Sequence, residues 1–588
     1  MRKIFTILFF VGFCCKLSAQ YYIRGSIKDE KNQPLQNVKI FLHSSRMLYL
    51  SGATGTFGIL TPVLYDSITL NAEGYEPRSI KVKADAYQDV VLKMLFANVS
   101  VQKQTLVSIT KDLDPNASRN LMFGNESYSN LVENNFIRAE KYPATGFSVR
   151  ADKASYSNIR RFINQKSAVP VDAVRIDEML NYFNLKYKEP EKGEVFRISS
   201  QLTACPWNNN NQLVMIDLSA KKIDLEKVPA SNFVFLIDVS GSMDLPNRLP
   251  LLKASFQSLV KNLRDKDTVS IVTYGGGVKV WLTPTGGIEK RKIIRSIEEL
   301  TAAGDTPGEA AVKAAYQLAR SSFIEGGNNR VILATDGDFN VGQTSEKELE
   351  ELISKERLTG IYLTCLGVGM GNYKDSKIEA LAKKGNGNFA YIDDIKEGEK
   401  VLVKELTQTL YTVANDVFLN VHFNREMVKE YRLIGYDNKK NVLSDSLSKL
   451  EGGEIGSGSG ITAIFEIVPT DDNLFSSDPF LNEDIATLQL NYKLPGDSTQ
   501  KMCDFICTKN FKEFYELDNE TRFTTAITMF GLLLRHSKYA SYASFNEVEK
   551  IAKASLNKND YLQTEFIELV DKAKKIYSKK NKKKNEFN

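Results

Sequence analysis

The central part of this chain is organised around one apolar run and the polar loop that follows it, Phe233-Val234-Phe235-Leu236-Ile237-Asp238-Val239-Ser240-Gly241-Ser242. A short, continuous apolar run that ends in a loop is typical of a strand buried on both faces of a sheet. Further apolar runs follow, and amphipathic stretches with helical spacing lie between them. This alternation predicts a central α/β domain with a doubly wound, Rossmann-like sheet over residues 228–413.

The bounds of the individual elements follow from the same alternation. We expect strands at residues 233–239, 269–274, 278–282, 331–335, 361–368 and 389–392. Helices are expected at residues 249–263, 290–300, 307–320, 346–357 and 376–384, with a closing helix over about 397–410. Ligands of such sheets bind outside the carboxyl ends of the strands, which is therefore where a functional site is expected.

Five oxygen-bearing side chains are expected at this edge of the sheet. Asp238, Ser240 and Ser242 follow the first strand. Thr306 lies in the loop before the third helix, and Asp336 follows a later strand. Carboxylate and hydroxyl oxygens are hard donors, which suit Mg²⁺ and also Mn²⁺ or Ca²⁺. The sequence therefore predicts a divalent metal site at this edge.

Each of these residues also has an ordinary structural interpretation. Thr306 stands where a helix N-cap is expected, which by itself explains a threonine. Asp336 precedes a glycine and could belong to a turn. Ser240 and Ser242 could be loop hydroxyls without a ligand. The metal interpretation rests on the joint occurrence of all five donors in order on one predicted fold.

The spacing Asp238-x-Ser240-x-Ser242, followed by the distant Thr306 and Asp336, resembles the metal-ion-dependent adhesion site of von Willebrand factor A domains. The resemblance implies that Ser240, Ser242 and Thr306 ligate the ion through their hydroxyls. It also implies that Asp238 and Asp336 act directly or through water. Hydroxyl ligands leave the ion under-neutralised, so an acidic side chain of a protein partner can complete its coordination. The implied outcome is partner binding without catalysis.

A wider resemblance covers about residues 130–580. Segments 154–162, 172–183 and 205–208 before the α/β domain, and 431–436 and 452–458 after it, are similar to bacterial YfbK-like von Willebrand A proteins. One departure lies at residues 150–153, which read Arg-Ala-Asp-Lys where that family commonly has Asp-Val-Asp-Thr.

The regions that flank the α/β domain have different patterns. Residues 131–227 combine two short amphipathic helices with strand-like runs, and strand-like runs resume over 414–512. We therefore expect the α/β domain to be inserted into a β-sandwich built from both flanks. Residues 513–588 have helical spacing and end in a Lys-rich tail.

The amino-terminal region predicts export. Residues 1–19 have a basic start, a short apolar run and small residues before Gln20, which is the layout of a secretory signal peptide. Residues 20–96 alternate apolar and polar residues and resemble a carboxypeptidase-regulatory-like β-sandwich, a non-catalytic module. Residues 97–130 are polar and are expected to be a linker.

Composition excludes several functions. The formal net charge is +5, but residues 572–588 alone carry eight lysines, so the body of the chain is slightly acidic and offers no basic face for nucleic acid. The chain has three histidines, which are far apart in sequence. This argues against a zinc site with histidine ligands and against a Ser-His-Asp triad.

These observations favour an exported, non-enzymatic protein that binds a protein partner through the metal, in adhesion or envelope assembly. A metal-dependent hydrolase and a structural or sensory envelope scaffold are the two alternatives. The expected location is the periplasm, the outer membrane surface or the medium, which fits peripheral association with the envelope. Cys14 or Cys15 would offer a lipid anchor, but Phe13 stands where a small residue is wanted.

Overall fold

The structure is a computed structural model. It describes residues 21–30, 32–72, 75–93, 126–185, 187–224, 226–304, 308–337, 343–370, 373–436, 452–470, 484–540 and 542–585. The predicted signal peptide and most of the predicted linker lie outside these residues.

The α/β region holds one six-stranded sheet. Its elements are β12 (Ser231–Asp238), α3 (Leu249–Lys261), β13 (Thr268–Tyr274), β14 (Val278–Gly286), α4 (Lys290–Glu298), α5 (Gly308–Ser321), β15 (Asn328–Thr335), α6 (Gln343–Leu358), β16 (Ile361–Val368), α7 (Asp375–Lys384), β17 (Phe389–Ile392), α8 (Ile395–Glu399) and α9 (Leu406–Leu410). The sheet order is β14-β13-β12-β15-β16-β17, and only β14 runs antiparallel to its neighbour. The strand order reverses between β12 and β15, as in a doubly wound sheet.

The sequence of β12 explains its place in the middle of this sheet. All eight of its residues are buried. Phe233 and Phe235 pack into the apolar core shared with α3 and α4, whereas Val234 and Leu236 pack into the core shared with α5 and α6. Because alternate residues of a strand point to opposite faces, a continuous apolar run fills both cores.

The α/β region is inserted between strands of two other sheets. The preceding strands are β8 (Ile137–Arg138), β9 (Ala144–Ser148), β10 (Phe196–Ala204) and β11 (Gln212–Ala220). The following strands are β18 (Thr412–Phe423), β19 (Val428–Ile434), β20 (Gly453–Gly456), β21 (Gly460–Pro469), β22 (Asp484–Lys493), β23 (Gln500–Thr508) and β24 (Phe511–Lys512). β11 pairs with β21, and β9 pairs with β18, so both flanks share their sheets. The two sheets, β24-β10-β11-β21-β19-β8 and β20-β18-β22-β23 with β9, contribute to one apolar core.

Helices from before and after the α/β region form a second apolar core. They are α1 (Ala154–Asn164), α2 (Ile176–Phe183), α10 (Asn519–Leu534), α11 (Phe545–Ala554) and α12 (Tyr561–Asn585). Phe162 of α1, Phe183 of α2 and Phe566 of α12 are among its buried residues. The helices that precede the α/β region are therefore held by those that end the described chain.

A small β region precedes these domains. Its strands are β1 (Tyr21–Asp29), β2 (Lys39–Leu42), β3 (Met47–Leu50), β4 (Thr56–Thr61), β5 (Tyr65–Asn71), β6 (Arg78–Lys83) and β7 (Tyr87–Leu92), in sheets β4-β1-β7 and β3-β2-β5-β6. Both sheets contribute to one apolar core. Arg24 lies 3.6 Å from the buried Asp172, and the Tyr87 hydroxyl accepts a hydrogen bond from Asn130, so this region contacts the rest of the protein.

Buried ion pairs join the helical core to the α/β region. Arg160 of α1 donates to Asp393 and Glu397, which flank the start of α8, and to Glu565 of α12. Arg175 donates to Asp375 at the start of α7 at 2.6 Å. These contacts hold the starts of α7 and α8 against α1 and the start of α2.

Several predicted bounds differ from the structure. The strand expected over 278–282 is longer, since β14 continues to Gly286. The closing helix expected over about 397–410 is α8 and α9 separated by a π-helical turn over Lys400–Lys404. At this turn Lys400 is buried and pairs with Glu405 at 3.0 Å, and Glu405 also accepts from Lys153. The end of the expected linker is also different, because Glu126 is buried in an ion pair with Arg161.

Among the described residues, no helix combines the length and apolar character needed to cross a bilayer.

Candidate metal centre

The candidate site lies where the strand order of the α/β sheet reverses. β12 and β15 are parallel neighbours, with Ile237 paired to Ala334. Asp238 is the last residue of β12, and Asp336 follows the last residue of β15. Because parallel neighbours end at the same edge, the two carboxylates come together, as the sequence predicts.

The two serine hydroxyls lie between these carboxylates. Ser242 Oγ donates a hydrogen bond to Asp336 Oδ2 at 2.8 Å, and Ser240 Oγ lies 3.2 Å from Ser242 Oγ. Ser240 is buried, whereas Ser242 is exposed. The structure thus brings Asp238, Ser240, Ser242 and Asp336 to one place, with the Ser242 end open to solvent.

Asp238 is held by hydrogen bonds on both carboxylate oxygens. The backbone N–H of Ser240 donates to Oδ1 at 2.9 Å, and the Thr335 hydroxyl donates to Oδ2 at 3.0 Å. Burial raises the pKa of Asp238 to about 6, and the neighbouring charge of Asp336 adds to this increase. The sequence prediction does not include Thr335. Its position directly before Asp336 is the only sequence signal for this role.

Thr306 lies outside the described residues, so its place in the site stays a prediction. The loop that leads to it is held against the serine loop. Gly241 N–H donates to Gly304 O at 3.1 Å, and Ala303 N–H donates to Val239 O at 2.6 Å. The Gly304 loop also approaches the loop after β13. A Cβ on Gly304, whose φ is +80°, would lie 2.3 Å from Gly276 in that loop, so position 304 requires glycine.

A second residue of the site, besides Thr335, is absent from the sequence prediction. Arg248, which directly precedes α3, is buried and donates to Asp336 Oδ2 at 2.6 Å. It also donates to the carbonyl oxygens of Ser242 at 2.7 Å and Met370 at 2.8 Å. The only sequence signal is that Arg248 stands six residues after Ser242. An arginine before a helix is as compatible with an exposed side chain as with a buried one, so this position does not identify a role.

The donor set fits a hard divalent cation. Ser240, Ser242 and Asp336 offer hydroxyl and carboxylate oxygens, and no nitrogen or sulfur donor lies among the predicted ligands. In the described part of the chain, no group of three or more His, Cys, Asp or Glu side chains could hold a metal ion. A metal here would therefore depend on the hydroxyls as well as the carboxylates.

Three family models match this chain. The model for the von Willebrand factor type A domain matches residues 232–409, which contain all of the α/β sheet except Ser231. A model described as von Willebrand factor matches residues 122–215. The model described as uncharacterized protein YfbK, C-terminal, matches residues 408–576. The α/β region is therefore a von Willebrand factor A domain.

Two further proteins are similar to parts of this chain. A subunit of magnesium chelatase, the 67 kDa subunit of Chlorobaculum parvum, is 24% identical over 237 residues, 35% of this chain and 38% of that protein. The von Willebrand factor type A structure from Catenulispora acidiphila is 15% identical, with a TM-score of 0.37, and the match covers 63% of this chain and 88% of that one.

The uncharacterized protein YfbK of Escherichia coli is 36% identical over 472 residues, which is 76% of this chain and 81% of that protein. This similarity extends well beyond the A domain, in agreement with the family model for the region that follows it. The chain belongs to the YfbK family of von Willebrand factor A domain proteins.

Proposed function

We propose that this chain is an exported, non-enzymatic protein that binds a protein partner through a divalent metal ion, in adhesion or assembly of the cell envelope. The ion is Mg²⁺, with Mn²⁺ or Ca²⁺ as the alternatives for the same donors. The observation that carries the proposal is the convergence of Asp238, Ser240, Ser242 and Asp336 at the reversal point of the A-domain sheet. A domains generally mediate protein interactions, which supports the partner class.

The proposal assigns each residue a task. Ser240, Ser242 and Thr306 would hold the ion through their hydroxyls, and Asp336 through its carboxylate. Asp238 has both oxygens engaged by Ser240 N–H and Thr335, which suits it to orient the serine loop. When bound, the ion supplies a coordination position for a carboxylate oxygen of the partner.

The surroundings of the site favour a protein partner. Gly241 and Ser242 are exposed, so an approaching side chain can reach the serine loop. Leu245 lies three residues further on and is 49% exposed, which offers an apolar contact beside the polar site. A carboxylate flanked by apolar side chains is the partner chemistry that fits this face.

Export is the second part of the proposal and rests on residues 1–19 and the removal of that segment before Gln20. We assign the β region over 21–92 to a carboxypeptidase-regulatory-like module, by its sequence resemblance. Amino-terminal sequencing of the chain from its own cells should begin at Gln20. A chain that retains Met1 would contradict export by this route.

Capture from cell-envelope extracts tests the binding. The purified chain is immobilised, loaded with extract in Mg²⁺ and then washed with a chelator. We expect a specific protein to be released by the chelator and to bind again when Mg²⁺ is restored. Free acetate should weaken capture, while acetamide, its neutral counterpart, should not. Capture that persists in chelator would contradict the proposal.

A further inference from the structure

The buried arginine of the site is held at three points. One Nη of Arg248 donates to both Asp336 Oδ2 and Ser242 O, and the other donates to Met370 O at 2.8 Å. Asp336 is 1% exposed and Arg248 is 5% exposed, so this ion pair is shielded from water. The chain thus places a permanent positive charge against a carboxylate predicted to hold the metal.

The position of Arg248 depends on a glycine at the end of β16. A Cβ on Gly369 would lie 2.6 Å from Arg248 Nε and 3.0 Å from its Cγ. The φ of Gly369 is +82°, and the Tyr391 hydroxyl donates to its carbonyl oxygen at 2.5 Å. Gly369 is therefore fixed in a conformation that leaves room for the arginine side chain.

We infer that Arg248 is a resident cation that compensates the carboxylates of the metal-free site and competes with the divalent ion for Asp336; this inference rests on the proposed metal site. Without a cation, Asp238 and Asp336 would be two neighbouring buried carboxylates, an arrangement with a high desolvation cost. With a metal present, the guanidinium is a like charge close to the ion, which weakens metal binding. Arg248 therefore lowers the affinity of the site for the metal ion, and it keeps the site assembled when no ion is bound.

Three variants separate the charge of Arg248 from its packing. Arg248→Gln removes the charge but keeps hydrogen-bond donors. Arg248→Lys keeps the charge. Gly369→Ala leaves the arginine in the chain but displaces it from Asp336, and Gly360→Ala is its matched control. Gly360 also has a positive φ, of +87°, but a Cβ there would meet only an ordinary contact with the Phe323 ring at 3.8 Å.

Calorimetric titration with Mg²⁺ and thermal melting in chelator are the two readouts. We expect Arg248→Gln and Gly369→Ala to bind Mg²⁺ at least about tenfold more tightly than the wild type. Arg248→Lys and Gly360→Ala should stay within about threefold of it, since the charge and its neighbourhood are kept. In chelator, Arg248→Gln should melt at a lower temperature than the wild type, and saturating Mg²⁺ should reduce that difference.

The outcomes distinguish this inference from the proposed function. A wild-type chain that binds Mg²⁺, with equal or weaker binding by Arg248→Gln, would overturn the inference alone. Binding by Arg248→Gln but not by the wild type would support it. No binding by any variant would overturn both. If Arg248→Gln folds only with Mg²⁺, the inference is supported, and if it does not fold at all, Gly369→Ala against Gly360→Ala decides.

Discussion

The hydroxyl of Ser242 donates a hydrogen bond to Oδ2 of Asp336 at 2.8 Å, although 94 positions separate the two residues in sequence. The parallel pairing of β12 and β15 brings them together, because each residue follows its strand at the same edge. This contact places a hydroxyl donor of the candidate site against its carboxylate donor. It is the geometry on which the metal assignment depends.

Loss of both serine hydroxyls should separate binding from folding. Ser240→Ala with Ser242→Ala removes two predicted ligands but no apolar packing, so the melting temperature in chelator should change little. Capture of the envelope partner in Mg²⁺ should fall to background. A matched double variant, Ser296→Ala with Ser321→Ala, removes two hydroxyls elsewhere in the A domain and should capture as the wild type does. A double variant at the site that unfolds would show that the hydroxyls are structural.

Loss of Arg160 should destabilise the whole chain. Its side chain pairs with Asp393, Glu397 and Glu565, so Arg160→Ala leaves buried carboxylates without their cation. The free energy of unfolding should fall by about 3–5 kcal/mol, measured by denaturant unfolding. Arg295→Ala is the control, because its side chain is 81% exposed and pairs with Glu299 on the surface. Equal effects of the two variants would contradict this role of the buried ion pairs.

The buried Asp172 should give the stability of the protein a distinctive pH dependence. Burial raises the pKa of Asp172 above its ordinary value of 3.8, so the folded chain holds the proton more tightly than the unfolded chain. This contribution to stability is fully present below pH 3.8 and is lost as the pH rises through the folded pKa. Asp172→Asn should remove that loss and raise the free energy of unfolding at pH 7.

Denaturant unfolding between pH 4 and about pH 7 measures this difference. Asp85→Asn replaces an exposed aspartate and should follow the wild-type curve. A lower free energy of unfolding for Asp172→Asn at pH 7 would mean that the contact of the carboxylate with Arg24 outweighs its burial.

The sequence predicts the A domain well because its signals are local. The apolar run Phe233 to Ile237 has to be buried on both faces, and the structure places it in the centre of the sheet. Asp238 and Asp336 could be assigned to one edge because each follows such a run. The assignment of all five residues as metal ligands is still a prediction.

Other features depend on tertiary contacts that no local pattern carries. Arg248 joins the site by donating to Asp336, and its side chain is positioned by Gly369 and Met370, which follow a different strand. The break between α8 and α9 coincides with the buried pair of Lys400 and Glu405, whereas the apolar spacing alone is that of one continuous helix. Buried ion pairs between distant elements cannot be deduced from spacing, since charged residues on a helix are usually exposed.

Calorimetric titration of the purified chain with Mg²⁺ is the most direct test of the metal assignment, with Asp336→Asn and Asp244→Asn as the two variants. Asp244 is an exposed carboxylate two residues after Ser242, so its variant is a control for charge near the site. We expect one Mg²⁺ per chain for the wild type and for Asp244→Asn, and no saturable binding for Asp336→Asn. Because Asp336→Asn leaves the buried Arg248 without its carboxylate, this variant should melt at a lower temperature, and the titrations are done below its melting transition. Unchanged Mg²⁺ binding by Asp336→Asn would contradict the assignment of the site.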